Sequence, residues 1–272
     1  MAFSSEFVPY DMHSFNEEEF LENNPGAKLL PLTDLNHPLD NKKEPLILVH
    51  GIRGQPSDLQ PIADLFIDSR YQLYVFVYDD FKQKAPINGN LFAKLLGKLE
   101  HESLTIIAHS MGGIITRLAL SDMVKNHGLN DKKINFFSID TPWHGFDGPA
   151  DDEMFGLQMG IANIFLPDGL EDMRAKSDMF KNLNEVKFPE NIKVHIAFAE
   201  EGDEALDYVE GFADEFQEKN FHEALKLTGL FELAYPNNLD AYFPRFPGDH
   251  MTVLDQHHQQ YCFLDYLKDQ LL

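Results

Sequence analysis

Between Leu46 and Ile139 the chain switches repeatedly from short apolar runs to helix-like stretches, and that rhythm constrains the fold more than any other feature of the sequence. Strands are expected at Leu46–His50, Leu73–Tyr78, Thr105–His109 and Ile134–Ile139. Helices are expected near Leu59–Asp68, Asn90–Glu100 and Gly112–Asn126. The strands are rich in Ile, Val, Leu and Phe rather than alternating apolar with polar, so both of their faces must be covered. Strands of this kind separated by helices form a parallel sheet with helices on each side. The reading is therefore an α/β fold: a doubly wound, mostly parallel sheet flanked by helices, with chemistry gathered at the carboxyl edge of the strands.

One junction in this series has a special form. Leu104-Thr105-Ile106-Ile107 runs into Ala108-His109-Ser110-Met111-Gly112-Gly113 and then into the helix-forming Ile114-Ile115-Thr116-Arg117-Leu118-Ala119-Leu120. A buried strand that turns abruptly into a helix through small residues holds the intervening serine on a strained corner with its hydroxyl exposed. Ala108 and Gly112 flank Ser110 where strand and helix come close, and larger side chains there would force them apart. The first amide of a helix has no partner within the helix and sits at the positive end of its dipole, which makes the Met111 N–H available to an oxyanion. Pro45-Leu46-Ile47-Leu48-Val49-His50-Gly51-Ile52-Arg53-Gly54 is a second buried strand ending in a glycine-containing loop. Ile52 is the expected second donor, with Arg53 as the alternative.

These two strand-loop stretches together resemble the α/β-hydrolase family in its lipase and esterase branch, and the resemblance runs from about Glu44 to the C-terminus. Pro56-Ser57-Asp58-Leu59, Asp140-Thr141-Pro142-Trp143-His144-Gly145 and Gly248-Asp249-His250-Met251 also resemble stretches of such enzymes and come in the same order. Ala108 stands where the family usually has a glycine. The resemblance implies a nucleophile, an acid and a histidine in that order along the chain. His250 suits the base: it lies in a Pro-Gly-Asp-His loop behind Ala241-Tyr242-Phe243 and ahead of Met251-Thr252-Val253-Leu254, which is expected to open the last helix. A solvated loop histidine is the plain alternative. His257 and His258 fall inside that expected helix, whose apolar face would be Leu254, Tyr261, Leu264 and Leu267. His50 and His109 are neighbours that shape the site. The acid is expected after the strand Ile192–Ala199, and Gly202-Asp203 matches the family there, so Asp203 is chosen over Glu201 and Asp207. The function implied is a serine hydrolase of carboxylic esters. An acyl thioesterase and a non-catalytic binding scaffold of the same fold stand as alternatives.

Composition narrows the partners. Forty-five acidic against 22 basic residues give a net charge of −23, a field that repels nucleic-acid phosphates and anionic lipid surfaces. A small ester or acyl substrate is the expected partner. The single cysteine, Cys262, excludes an intrachain disulfide and a thiolate-rich metal site, and no metal or cofactor is expected. No apolar run reaches the length of a membrane span, and Met1-Ala2-Phe3-Ser4-Ser5-Glu6 lacks the features of a signal peptide, so a cytoplasmic location is expected.

The 272 residues are read as a single domain. Residues 1–43 form an N-terminal extension with a helical stretch at Asn16–Glu22. The segment 146–190 carries Met154, Phe155, Leu157, Met159, Ile161, Ile164, Phe165, Leu166, Met173, Met179 and Phe180. It is expected to form a helical cap over Ser110, with 204–240 as a candidate second part, although the same side chains also suit ordinary core packing.

Overall fold

Strand β5 (Ser103–His109) lies inside an eight-stranded sheet of order β1-β2-β4-β3-β5-β6-β7-β8. The structure is a computed structural model and describes residues 7–127, 132–143, 145, 177–200, 233–234, 243–255 and 260–272. The other strands among the described residues are β1 (Val8–Pro9), β2 (Lys28–Thr33), β3 (Glu44–Val49), β4 (Tyr71–Val77), β6 (Lys133–Ile139), β7 (Ile192–Ala199) and β8 (Arg245–Phe246). From β4 through β8 every pairing is parallel. The N-terminal extension supplies the exception, for β2 runs antiparallel to β4, and β1 pairs beside it. The expected α/β sheet is thus present.

The apolar strands divide their side chains between two cores, as covered parallel strands must. Along β3, Ile47 and Val49 enter one cluster while Leu46 and Leu48 enter the other. Along β5, Ile106 and Ala108 face the first core and Ile107 the second. The first core is closed by helices α3 (Ala85–Gly97), α4 (Met111–Asp122) and α5 (Asp178–Asn184), through residues such as Phe92, Ile115 and Phe180. The second is closed by α2 (Gln60–Phe66), α6 (Phe263–Leu271) and the extension, through Phe66, Phe263 and Met12. Each large apolar side chain removed from water contributes roughly 1.5–3 kcal/mol, so the two cores together hold the sheet edge that carries the site.

Several boundaries differ from the sequence reading for identifiable reasons. Helix α3 starts at Ala85 rather than near Asn90, because Pro86 sits in its first turn where no intrahelical N–H is needed. Helix α1 (Glu17–Asn23) matches the stretch foreseen in the extension, and Asn16 caps it by accepting the Glu19 N–H at 3.1 Å. The last helix begins only at Phe263, not near Met251. Thr252–Leu254 make a single short turn closed by Asp249, whose side chain accepts from the amides of Met251 and Thr252, and Asp255 is extended. Leu254 and Tyr261 therefore do not belong to that helix, and His257 and His258 lie outside the described residues. Of the segment 146–190, the described part includes α5, whose Met179, Phe180 and Leu183 pack into the core. Its stretch 146–176 lies outside the described residues, as does 204–240 apart from Leu233 and Ala234.

Candidate active site

Parallel register brings the ends of β5, β6 and β8 to one edge. Ala108 and His109 pair with Ser138 and Ile139, so Ser110 and Asp140 leave neighbouring strands at the same level. Ser110 donates its amide to the Ile139 carbonyl at 3.1 Å, and Asp140 donates its own to Ala197 on β7 at 2.9 Å. Two strands further out, β8 pairs with the end of β7, and the chain returns through Gly248, which takes a positive φ of 110°. That turn delivers His250 back over Ser110.

Ser110 holds φ 53° and ψ −132°, a strained conformation for a residue with a side chain. Its surroundings leave little room for relaxation. A Cβ on Gly112 would lie 2.5 Å from the His50 carbonyl oxygen and 2.6 Å from that of Val49, so β3 and the start of α4 approach as closely as the small residue permits. A Cβ on Gly51 would lie 2.6 Å from the Ser110 Cβ and 3.0 Å from its Oγ, which places the β3 loop directly against the hydroxyl.

Ser110 Oγ donates to His250 Nε2 at 2.9 Å. On the other side of the ring, His250 Nδ1 donates to Asp140 Oδ2. A carboxylate only accepts, so the proton of the neutral ring is held on Nδ1 and the Nε2 lone pair faces the serine. Asp140 is fully buried and its second oxygen accepts the Ala199 N–H at 3.2 Å, which fixes its plane. Like Ser110, it has a positive φ, 49°. The His250 side chain is 28% exposed, open enough to exchange a proton with an entering group. Its backbone is held from behind by His109, whose Nε2 donates to the His250 carbonyl at 2.7 Å. Burial pushes the His109 imidazole down to about 4, so it stays neutral and keeps that donor role.

The acid expected from sequence, Asp203, lies outside the described residues, together with Glu201 and Asp207. The carboxylate against His250 is Asp140, on the loop after β6. β6 is the immediate neighbour of β5, roughly 4.8 Å away, whereas a residue after β7 starts one strand further from the serine. Asp140 was visible as the first residue of the Asp-Thr-Pro-Trp stretch, and its position right at the end of an expected strand was the available signal.

The β3 loop is braced by charged groups. Its Arg53 has φ 53° and donates its backbone N–H to the Asp80 carboxylate. That amide is committed, which favours Ile52 over Arg53 as the loop's candidate oxyanion donor. Met111 is the first residue of α4 and has no carbonyl one turn behind it in the helix. Among the described residues no group of three or more His, Cys, Asp or Glu side chains could hold a metal ion, and no helix is long and apolar enough to cross a membrane.

Comparison with known proteins agrees with this architecture. Residues 40–164 match the family described as "Putative serine esterase (DUF676)". Among solved structures, the mature lipase BlEst2 of Bacillus licheniformis aligns at 16% identity and a TM-score of 0.51, over 84% of this chain and 92% of that one. A structure from work on carboxylesterases of the thaumarchaeon Nitrososphaera gargenis aligns at 15% identity and 0.52, over 90% and 93%. The Vlm2 thioesterase domain aligns at 16% identity and 0.51, over 90% and 98%. No curated protein matches the chain. The sheet order, the serine corner and these likenesses lead to one placement: the chain is an α/β-hydrolase in fold, similar to the lipase- and esterase-like members of that family.

Proposed function

We propose that the protein is a serine hydrolase of carboxylic esters, working through Ser110, His250 and Asp140. The observation that carries this reading is the continuous chain of hydrogen bonds from the Ser110 hydroxyl through the His250 ring to the buried Asp140. Asp140 takes the role that the sequence suggested for Asp203. In the first step Ser110 Oγ attacks the ester carbonyl while its proton passes to His250 Nε2. Asp140 stabilises the imidazolium so formed and holds its orientation. The carbonyl oxygen becomes an oxyanion, met by the N–H groups of Met111 and Ile52. Collapse expels the alcohol, which takes the proton from His250, and leaves an ester of Ser110. Water then enters, gives its proton to His250 and attacks that ester. A second collapse frees the acid and returns the proton to Ser110.

Acyl preference is proposed from the apolar content of the segment 146–190, which suits medium or long chains. A cap formed by that segment would also keep water from the acyl chain. A thioesterase is the second reading. Arg53, in the β3 loop with its guanidinium 5.3 Å from the Phe81 ring centre, suits an anionic substrate arm. Hydrolysis of a p-nitrophenyl ester series by the parent and by Ser110→Ala tests the main proposal. Turnover lost by roughly 10⁴-fold supports it, and equal rates overturn it. Assaying an acyl-CoA against the ester with the same acyl group separates the two substrate classes.

A further inference from the structure

Among the described residues of the N-terminal extension, Glu17 reaches across to the β3 loop. Glu17, in the first turn of α1, is buried with 7% of its surface exposed, which is unusual for a glutamate unless it is paired. Its carboxylate accepts from His50 Nε2 at 3.1 Å and from the Tyr78 amide at 3.1 Å. His50 is 1% exposed. Its other ring nitrogen, Nδ1, lies 2.8 Å from the carbonyl oxygen of Gly51, which also accepts the Gly54 N–H at 3.1 Å. Both of the ring's neighbours are acceptors, so both ring nitrogens must carry protons and the ring is an imidazolium. Tyr78 lines the same pocket, its ring stacked on His50 at 4.7 Å between centres and its hydroxyl donating to the His50 carbonyl at 2.7 Å.

The bond to Gly51 matters because of the shape of a peptide. In a trans peptide the C=O and the following N–H point in opposite directions, and no cis peptide is present among the described residues. Whatever fixes the Gly51 carbonyl therefore fixes the Ile52 N–H. We propose that Glu17 is a positioning residue for ester hydrolysis: it holds His50 protonated at both ring nitrogens, and His50 clamps the Gly51 carbonyl so that the Ile52 N–H turns away from the ring to serve the oxyanion. The proposal rests on the ester-hydrolase reading and adds to it a role for a helix that precedes the family match, which begins at residue 40.

The surrounding charges agree. Glu17 raises the His50 imidazolium against the opposing effect of burial, with help from Asp80, and it titrates near 9. From β5, neutral His109 adds no charge at neutral pH, and Tyr78 is pushed above its ordinary range by burial. Asp80, raised to about 6 by burial, is mostly ionised at neutral pH and above. When His50 loses one proton, the ionised Glu17 retains the other on Nε2. The Nδ1 lone pair then faces the Gly51 oxygen, and the clamp becomes a repulsion. Turnover should fall as pH rises through about 9 for this reason.

The test compares Glu17→Ala and Glu17→Gln with the parent, using a p-nitrophenyl ester from pH 6 to 10 and counting active sites with a fluorophosphonate probe. Glu17→Ala leaves the Nε2 side of the ring without the partner that orients it, so the proposal expects a loss of roughly 10–100-fold in kcat per labelled site, with KM little changed and the acid limb of the profile in place. Glu17→Gln should recover most of that loss at neutral pH, since a glutamine can accept from Tyr78 and donate to Nε2, leaving the proton of neutral His50 on Nδ1. For the same reason its fall above about pH 9 should vanish. Parental kcat per labelled site in Glu17→Ala would show a merely structural role and overturn the proposal. If Glu17→Ala does not fold, an unmoved alkaline limb in Glu17→Gln overturns it equally. A parent protein that the probe fails to label at Ser110 would instead refute the hydrolase reading itself.

Discussion

Replacing Asp140 with Asn exchanges one oxygen for an NH2 at the centre of the site, and the two hydrogen bonds of the carboxylate decide the consequence. Asp140 accepts from His250 Nδ1 on one oxygen and from the Ala199 amide on the other, in a fully buried position. An asparagine there has one acceptor. If its oxygen stays with Ala199, its NH2 faces Nδ1, the ring proton moves to Nε2, and the group facing Ser110 becomes a donor that cannot take the serine proton. If the amide flips to save the working tautomer, the NH2 meets the Ala199 N–H and two buried donors lose their acceptor. At about 1–3 kcal/mol for each, the working arrangement is disfavoured by about 2–6 kcal/mol. Loss of the charge that stabilises the imidazolium adds to this, so turnover should fall by roughly 10³–10⁴-fold, the scale known for this substitution in serine triads. The assay is kcat on a p-nitrophenyl ester with active sites counted by probe labelling and folding checked by circular dichroism. Asp203→Asn is the companion variant and should keep turnover near the parent's. An Asp140→Asn enzyme within tenfold of the parent, or a collapse confined to Asp203→Asn, would refute the assignment of the acid.

Three further outcomes are expected. Gly51→Ala drives a methyl to within 2.6 Å of Ser110 Cβ, so kcat should drop at least tenfold in steady-state assays while the unfolding midpoint moves far less. His109→Ala removes the donor to the His250 carbonyl, and the loosened loop should lower kcat by about 5–10-fold, with little change in KM, matching about 1 kcal/mol for the lost bond. Stability should decline at alkaline pH in urea titrations. The His50 imidazolium is raised from its ordinary 6.5 to about 9, so its contribution is fully present below pH 6.5 and is lost as pH rises through about 9. Asp80, titrating near 6, completes its change below most of that window. In Glu17→Gln the decline should be absent.

The covered sheet was legible because β3, β4, β5 and β6 are short segments that carry apolar side chains on both faces, a pattern that one-sided strands do not produce. The serine corner was legible for a local reason: Ser110 and Gly112 are neighbours in sequence, and the close approach of β3 to α4 acts on those same residues. The proposed acid was harder to read. Asp140 and Asp203 both follow strands, and only the spatial order β5-β6-β7 puts the first beside the serine's own strand. The end of the chain was misread because Met251–Leu254 is apolar enough to open a helix, while the Asp249 side chain closes a tight turn that competes with it. Glu17 was hidden altogether, one acid among three in the first turn of a short acidic helix, since only the contact across 33 residues to His50 sets it apart.

The most direct test of the account is the site of covalent capture. A fluorophosphonate probe, reacted with the folded protein and located by peptide mass spectrometry, should modify Ser110 at one label per chain. His250→Ala should slow that reaction by at least roughly 10³-fold, and Ser110→Ala should abolish it. A folded protein that stays unlabelled, or one labelled at another serine with equal speed when His250 is removed, would contradict the account.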